Sequence, residues 1–157
     1  MSKQIQIFVI KTEADWSAAR NILWEYAENR GFDAALDGFE MELAQLPIRY
    51  GPPKGCFLLA QQGHEIHGCV AFRSLSDSVC EMKRMYVRPV ARGQGIGRSL
   101  LIELLQQAAE AGYGIMRLDT HPSMLTAQAL YQSLGFREIG RYNQNPIPGI
   151  RFFEKKL

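Results

Sequence analysis

The sequence predicts a mixed α/β fold in which a mostly antiparallel central sheet is flanked by helices. Three observations carry this expectation. Short apolar runs separated by tight polar turns crowd residues 56–87. Beyond Gly97 the apolar spacing lengthens to the helical period, at Leu100, Leu101, Leu104, Leu105 and Ala108. Strand-like and helical patterns then alternate to the end of the chain. At 157 residues, 46% of them hydrophobic, the chain can bury one core of ordinary size but not two, so residues 1–157 read as one domain.

Ile5, Ile7 and Val9 alternate with polar or outward positions and predict a first strand. Thr12 or Asp15 then caps a helix carrying Trp16, Ala19, Leu23 and Tyr26, ended by Gly31. Residues 32–46 predict a second helix closed by Pro47, followed by a loop over 49–55 with its Pro-Pro pair. The runs 56–61 and 65–73, parted by Gln62, Gly63 and His64, predict a hairpin, and 79–87 adds a third strand after a polar turn. Three such strands with short connections imply an antiparallel meander. The helix opened at Gly97 stops at Gly112, 115–120 is a strand, and Ala127, Leu130, Tyr131 and Leu134 mark a helix ended by Gly135. Residues 137–142 and 150–155 supply the last two strands.

Charge and cysteine usage exclude several classes of function. Net charge is +2, from 18 Lys and Arg against 16 Asp and Glu spread along the whole chain, so no extended cationic field is available for nucleic acid. The basic cluster of Lys83, Arg84, Arg88, Arg92 and Arg98 surrounds a glycine-rich turn, which suits a small polyanion. Cys56, Cys69 and Cys80 form no CxxC pair, arguing against a disulfide framework and a metal site and for buried hydrophobes. No segment has the length of a membrane span or the pattern of a signal peptide, so a cytoplasmic location without membrane partners is expected.

The turn Arg92-Gly93-Gln94-Gly95-Ile96-Gly97 lies between a strand and a helix, where main-chain N–H groups lack intrahelical partners and the helix dipole is positive. Glycine there permits positive φ and close approach of the backbone to a phosphate, while Arg92 and Arg98 add charge. A dinucleotide fingerprint would need glycine where Arg98 stands, and a P-loop would need one more spacer and a lysine. A glycine turn can also serve only to tighten a connection; the surrounding residues favour the phosphate reading. Arg92, Gly95 and Gly97 match the signature of Gln or Arg, two residues, Gly, any residue, Gly or Ala. With Met82-Lys83-Arg84-Met85-Tyr86-Val87-Arg88-Pro89 before the turn, and Ala127-Gln128-Ala129-Leu130-Tyr131 to Gly135-Phe136 after it, the C-terminal half resembles the GNAT superfamily of N-acetyltransferases.

That resemblance implies a sheet with a splayed strand pair (the GNAT fold), acetyl-CoA as cosubstrate, and transfer of its acetyl group to an amine. It implies backbone contacts to pantetheine at Met85, Tyr86 and Val87, with a main-chain N–H near Met85 facing the oxyanion. The pyrophosphate falls to Arg92, Gly93, Gln94, Gly95, Ile96, Gly97, Arg98 and Ser99. Tyr131 takes the role of acid for the departing thiolate, against the alternative of an aromatic core residue. Glu81 is a candidate general base, with pairing to Lys83 or a cross-strand arginine as an equal alternative and His121 as its rival. Cys80 points to the opposite face from Glu81, so direct attack in a ternary complex is expected rather than an acyl-cysteine. Met124 stands where many relatives have Asn, which removes one polar cofactor contact; Ser123 or Thr126 could replace that contact, but each is read as a helix cap.

By the same resemblance, residues 24–50 and 142–149 wall the acceptor site, and Arg49, Arg73 or Arg84 could fork an acceptor carboxylate, although surface or cross-strand pairing is the alternative for each. The expected acceptor is the primary amine of a small molecule or amino acid. A protein amino group, a non-catalytic acyl-CoA sensor and a nucleotide-binding module are the competing readings. The resemblance also allows a homodimer.

Overall fold

In the computed structural model, residues 4–29 and 38–157 are described. Seven strands form one sheet in the order β1-β2-β3-β4-β5-β7-β6, with every neighbouring pair antiparallel except β4 and β5. Along the chain, β1 (Ile5–Val9) leads into helices α1 (Glu13–Asn29), α2 (Phe39–Ala44) and α3 (Leu46–Tyr50). The meander of β2 (Cys56–Gln62), β3 (Glu65–Ser74) and β4 (Val79–Val87) follows. Then come a 3-10 turn at Pro89–Ala91, α4 (Ile96–Glu110), β5 (Ile115–Thr120), α5 (Leu125–Ser133), β6 (Arg137–Ile139) and β7 (Arg151–Lys156). The fold is the mixed α/β arrangement the sequence predicts.

Local chemistry sets the element ends. Thr12 Oγ1 accepts the Asp15 N–H at 3.1 Å while the Asp15 carboxylate accepts the Thr12 N–H at 3.1 Å, a reciprocal cap in which both expected residues take part. Gly31 and the start of the expected 32–46 helix lie outside the described residues. The rest of that helix is a correction: it divides at Gln45, and Pro47 sits inside α3 near its start instead of closing a helix. Proline is tolerated there because the first turn has no intrahelical use for its missing N–H. β6 is shorter than expected, stopping at Ile139, while β7 keeps the expected length one residue further along.

The sheet is covered on both faces, which is why β2 reads as a continuous apolar run. Cys56, Leu58 and Ala60 face α4, together with Val70, Phe72, Cys80, Met82, Met116 and Leu118. Phe57 and Leu59 face α1 and α3, with Trp16, Leu23, Tyr50, Cys69, Ala71 and Tyr86. Leu100, Leu101 and Leu104 on α4 are fully buried, each stabilising the fold by about 2 kcal/mol relative to exposure. Helix α4 is thereby fixed across the sheet, and its N-terminus is held beside the end of β4.

Candidate active site

The site begins where two strands part. β4 and β5 pair over only three residues, Val79 with Ile115, Cys80 with Met116 and Glu81 with Arg117. β5 then continues to Thr120 on β7, while β4 continues to Val87 on β3. Between Cys69 and Ala71 the β3–β4 register shifts, so that Arg84 and Met85 oppose the single residue Val70. Arg84 takes φ 62° at this bulge. The backbone of Met85, Tyr86 and Val87 therefore faces a gap where the ladder to β5 would have continued. A cavity of about 740 Å³ occupies that gap.

The glycine turn forms one end of the cavity. Gly93 and Gly95 have φ of 83° and 80°, the left-handed region that glycine enters without steric cost. The Ser99 N–H bonds back to the Gly95 carbonyl at 3.0 Å, so the amides of Ile96, Gly97 and Arg98 belong to the unpaired first turn of α4. Buried Ile96 anchors this turn in the core, and Arg92 Nε donates to the Val87 carbonyl at 3.0 Å, tying it to the end of β4. Of the residues the sequence assigns to the cofactor, Met85, Tyr86, Val87, Arg92, Gly93, Gly95, Ile96, Gly97 and Arg98 line the cavity. Gln94 and Ser99 are exposed and lie off its wall.

Two further walls complete the cavity, one of them from the 24–50 stretch expected to wall the acceptor. The C-terminal turn of α1 contributes Tyr26 and Asn29. Asn29 Nδ2 donates to the Tyr86 hydroxyl at 2.7 Å, and that hydroxyl donates to Glu25 Oε2 at 3.0 Å, where Arg88 Nε also arrives at 3.1 Å. The spacing of Glu25 and Asn29, one helical turn apart, was the available signal. The start of α5 contributes Ser123 to Ala127 and Leu130. Met124 is the N-cap of α5 and no side chain caps the helix, which corrects the capping roles expected of Ser123 and Thr126.

Ser123 serves His121 instead. Its N–H donates to Nδ1 of His121 at 3.1 Å, and its hydroxyl lies 2.7 Å from the same nitrogen. With Nδ1 accepting, the neutral ring carries its proton on Nε2 and presents a donor. His121 lines the cavity, but this tautomer counts against it as a base.

Glu81 lies on the α1 face of β4, opposite Cys80, and only 1% of it is exposed. Arg73 meets its Oε1 at 2.9 Å and 3.0 Å, and Lys83 lies 3.7 Å away. Its Oε2 accepts the Tyr142 hydroxyl at 2.6 Å and Asn143 Nδ2 at 3.4 Å. Asn143 and Asn145 also donate to Asp119, at 2.7 Å and 3.3 Å. The segment after β6 is thus fastened over the parting of β4 and β5. Tyr131 is off the cavity wall: its ring is buried, 5.9 Å from Phe136 and 6.4 Å from Phe153, next to the wall residue Leu130.

The arginines expected to fork an acceptor carboxylate have carboxylate neighbours of their own. Arg73 holds Glu81, and Arg84 grips Glu42 with Nε at 2.7 Å and Nη2 at 2.8 Å. Arg49 is 3.8 Å from Glu42. Burial pushes the Glu42 carboxyl up, but the hydrogen bonds and charge of Arg84 outweigh it, with Arg49 and Lys83 adding, and hold it below its ordinary range.

Residues 16–136 match the acetyltransferase (GNAT) family. The chain belongs to this family. Over 155 residues it is 36% identical to an uncharacterised N-acetyltransferase of Schizosaccharomyces pombe, covering 98% of this chain and 95% of that one. It is 32% identical over 111 residues to the N-acetylaspartate synthetase of Danio rerio, covering 69% of this chain and 39% of that longer protein. A GNAT-family acetyltransferase from Staphylococcus aureus superposes with a TM-score of 0.82 at 22% identity, covering 98% of this chain and 99% of that one. The protein yncA of Salmonella typhimurium, solved with its cofactor acetyl-CoA, superposes with a TM-score of 0.74 at 20% identity, covering 98% and 94%. The GNAT family uses acetyl-CoA, and this member is an acetyl-CoA-dependent acyltransferase. Among the described residues no helix is long and apolar enough to cross a membrane, and no cluster of three or more His, Cys, Asp or Glu could hold a metal ion.

Proposed function

We propose that this chain, acting as one domain, moves the acetyl group of acetyl-CoA to the primary amine of a small molecule or amino acid, by direct attack within a ternary complex. The observation that carries this reading is the cavity between β4 and β5, which joins a bare strand edge to a helix N-terminus built on two left-handed glycines. A pantetheine arm is a chain of amides and can pair with the edge at Met85 to Val87 as an added strand would. A pyrophosphate matches the unpaired amides and the guanidiniums of Arg92 and Arg98.

In the transfer itself, the amine nitrogen forms a bond to the thioester carbonyl carbon and the carbon–sulfur bond breaks. The Met85 N–H faces the oxyanion that develops between those events. One proton leaves the amine and one joins the thiolate. The second is assigned to Tyr131, whose buried ring lies behind the wall residue Leu130 and must gain access to the sulfur once acetyl-CoA is bound. The first passes to Glu81 through the Tyr142 hydroxyl, which already donates to that carboxylate. The name of the Danio rerio relative, an N-acetylaspartate synthetase, supports an amino acid as acceptor.

Calorimetric titration with acetyl-CoA tests the cavity, using the native chain and an Arg92→Glu/Gly95→Glu variant, followed by a panel of amines read by release of free thiol. Micromolar binding that the variant loses, with thiol released by an amino acid or small amine, supports the reading. A native chain that binds no acetyl-CoA overturns it. Binding with thiol release only on a peptide amino terminus or lysine moves the acceptor to a protein.

A further inference from the structure

Arg84 is the one residue other than glycine with positive φ among the described residues. Holding an L-residue there costs about 1–2 kcal/mol, and the conformation persists only where the surroundings impose it. Here they do so from three sides. Glu42 on α2 takes the guanidinium in a two-point grip at 2.7 Å and 2.8 Å. The Phe39 ring lies 5.7 Å beneath the guanidinium carbon. On the main chain, the Cys69 thiol donates to the Arg84 carbonyl at 3.3 Å.

Glu42 is itself only 6% exposed, so this pair is not a solvated surface contact. Removing one partner would leave a buried charge uncompensated. Glu42 occupies the Nε–Nη2 edge of the guanidinium, which leaves only the Nη1 side for any carboxylate of the acceptor. The next residue along the chain is Met85, which lines the cavity. Fixing the Arg84 dihedrals fixes the plane of the Arg84–Met85 peptide, and hence the direction of the Met85 N–H.

We propose that the Glu42–Arg84 pair is the clamp that holds the β4 bulge and aims the Met85 N–H at the oxyanion, which makes both side chains positioning residues for acetyl transfer. The proposal rests on the reading that the thioester lies beside Met85. It joins two functions in one contact: α2, expected to wall the acceptor, and the bulge that orders the donor side. An acceptor that shifts α2 would therefore alter the geometry of the oxyanion donor.

Glycine enters positive φ unaided, so it gives a direct test. The kcat per acetyl-CoA-binding site, with sites counted by calorimetric stoichiometry, and the KM for acetyl-CoA and amine are measured for Glu42→Gln, Arg84→Gly and the double variant. Counting sites removes any loss that is only unfolded protein. Glu42→Gln is expected to lose about tenfold or more in kcat, within the cost of removing an oxyanion donor, with both KM values within about twofold. The double variant is expected to regain kcat to within about threefold of the native chain, because glycine needs no clamp. An unchanged kcat in Glu42→Gln, or a double variant as slow as Glu42→Gln, overturns the clamp. So does a raised amine KM in Arg84→Gly, which would make Arg84 an acceptor ligand. A native chain that binds no acetyl-CoA removes the underlying reading and the clamp with it, whereas native turnover with an unaffected Glu42→Gln removes the clamp alone.

Discussion

The Tyr142 hydroxyl donates a 2.6 Å hydrogen bond to Oε2 of Glu81, across 61 positions of sequence. The Tyr142 ring is itself held, packing edge-on to Phe152 at 5.3 Å with the Arg117 guanidinium 5.6 Å from its centroid. Burial pushes this phenol well above its ordinary range, and the negative charge of Glu81 pushes it further. The hydroxyl thus keeps its proton throughout the neutral range and remains a donor to Glu81.

Tyr142→Phe keeps the ring and deletes the hydroxyl that the proton path uses. The expected result is a loss of at least about tenfold in kcat, in keeping with general base catalysis, while the KM for acetyl-CoA stays unchanged because the cofactor walls lie elsewhere. Steady-state kinetics on the amine identified by the panel reads both. A native kcat in this variant would take Glu81 out of the proton path and leave it as the anchor of the segment after β6.

What could be read from the sequence was what local pattern encodes. The meander, α4 and the turn at Arg92 announce themselves through apolar runs, helical spacing and glycines within a few residues of one another. The pairs that define the site's chemistry are not local. Glu42 and Arg84 are 42 residues apart, and Glu81 meets Tyr142 only because the chain turns back after β6. Cross-strand pairing was legible as an alternative for Arg73, whose partner Glu81 sits opposite it on the β3–β4 hairpin, but nothing near Arg84 in sequence names Glu42 on α2. The division at Gln45 was hidden for a different reason: Pro47 can close one helix or open the next, and packing of Leu43, Leu46 and Tyr50 into the core decides which.

The three cysteines should be inert in the folded protein. Burial pushes Cys56 and Cys80 up to about 12, with the charge of Glu103 adding at Cys56, and raises Cys69 likewise. At pH 8 a thiol shifted to about 12 is ionised about one part in ten thousand. A chromogenic disulfide should therefore react with none of the three within minutes in the native state and with all three in denaturant. Labelled acetyl-CoA should leave no label on the denatured chain. An acetyl group found on Cys80 would replace direct attack with an acyl-enzyme.

Stability should fall steeply above about pH 10. The phenols of Tyr50 and Tyr142 are raised by burial first, and then by Glu42 and Glu81 respectively. Both tyrosines ionise near their ordinary value of about 10 once unfolded but stay protonated in the fold. Above pH 10 the unfolded chain therefore binds fewer protons than the native one, so stability, fully present below pH 10, is lost as pH rises. Each group contributes a slope of up to about 1.4 kcal/mol per pH unit. Urea unfolding at pH 8, 10 and 11 should show a shallower alkaline loss in Tyr50→Phe than in the native chain. Parallel losses would mean that Tyr50 ionises alike in both states.

Two glycines of the turn should respond differently to the same added methyl group. A Cβ at Gly95 would meet nothing within 4 Å, but the φ of 80° there is one that alanine adopts only with strain. Gly95→Ala should cost about 1–2 kcal/mol of stability or swing the backbone out of the left-handed region. Either response turns the amides that follow, so acetyl-CoA binding should weaken by an order of magnitude or more. At Gly97 the helix has begun and φ is ordinary; a Cβ would sit 3.7 Å from Leu130 and from Val87, which is comfortable contact. Gly97→Ala should therefore keep its fold, with better helix propensity offsetting any crowding, and should retain acetyl-CoA binding within a fewfold of the native chain. Calorimetric titration of the two variants side by side reads the contrast. Equal affinities would show that the left-handed turn at Gly95 does not aim the amides at the pyrophosphate.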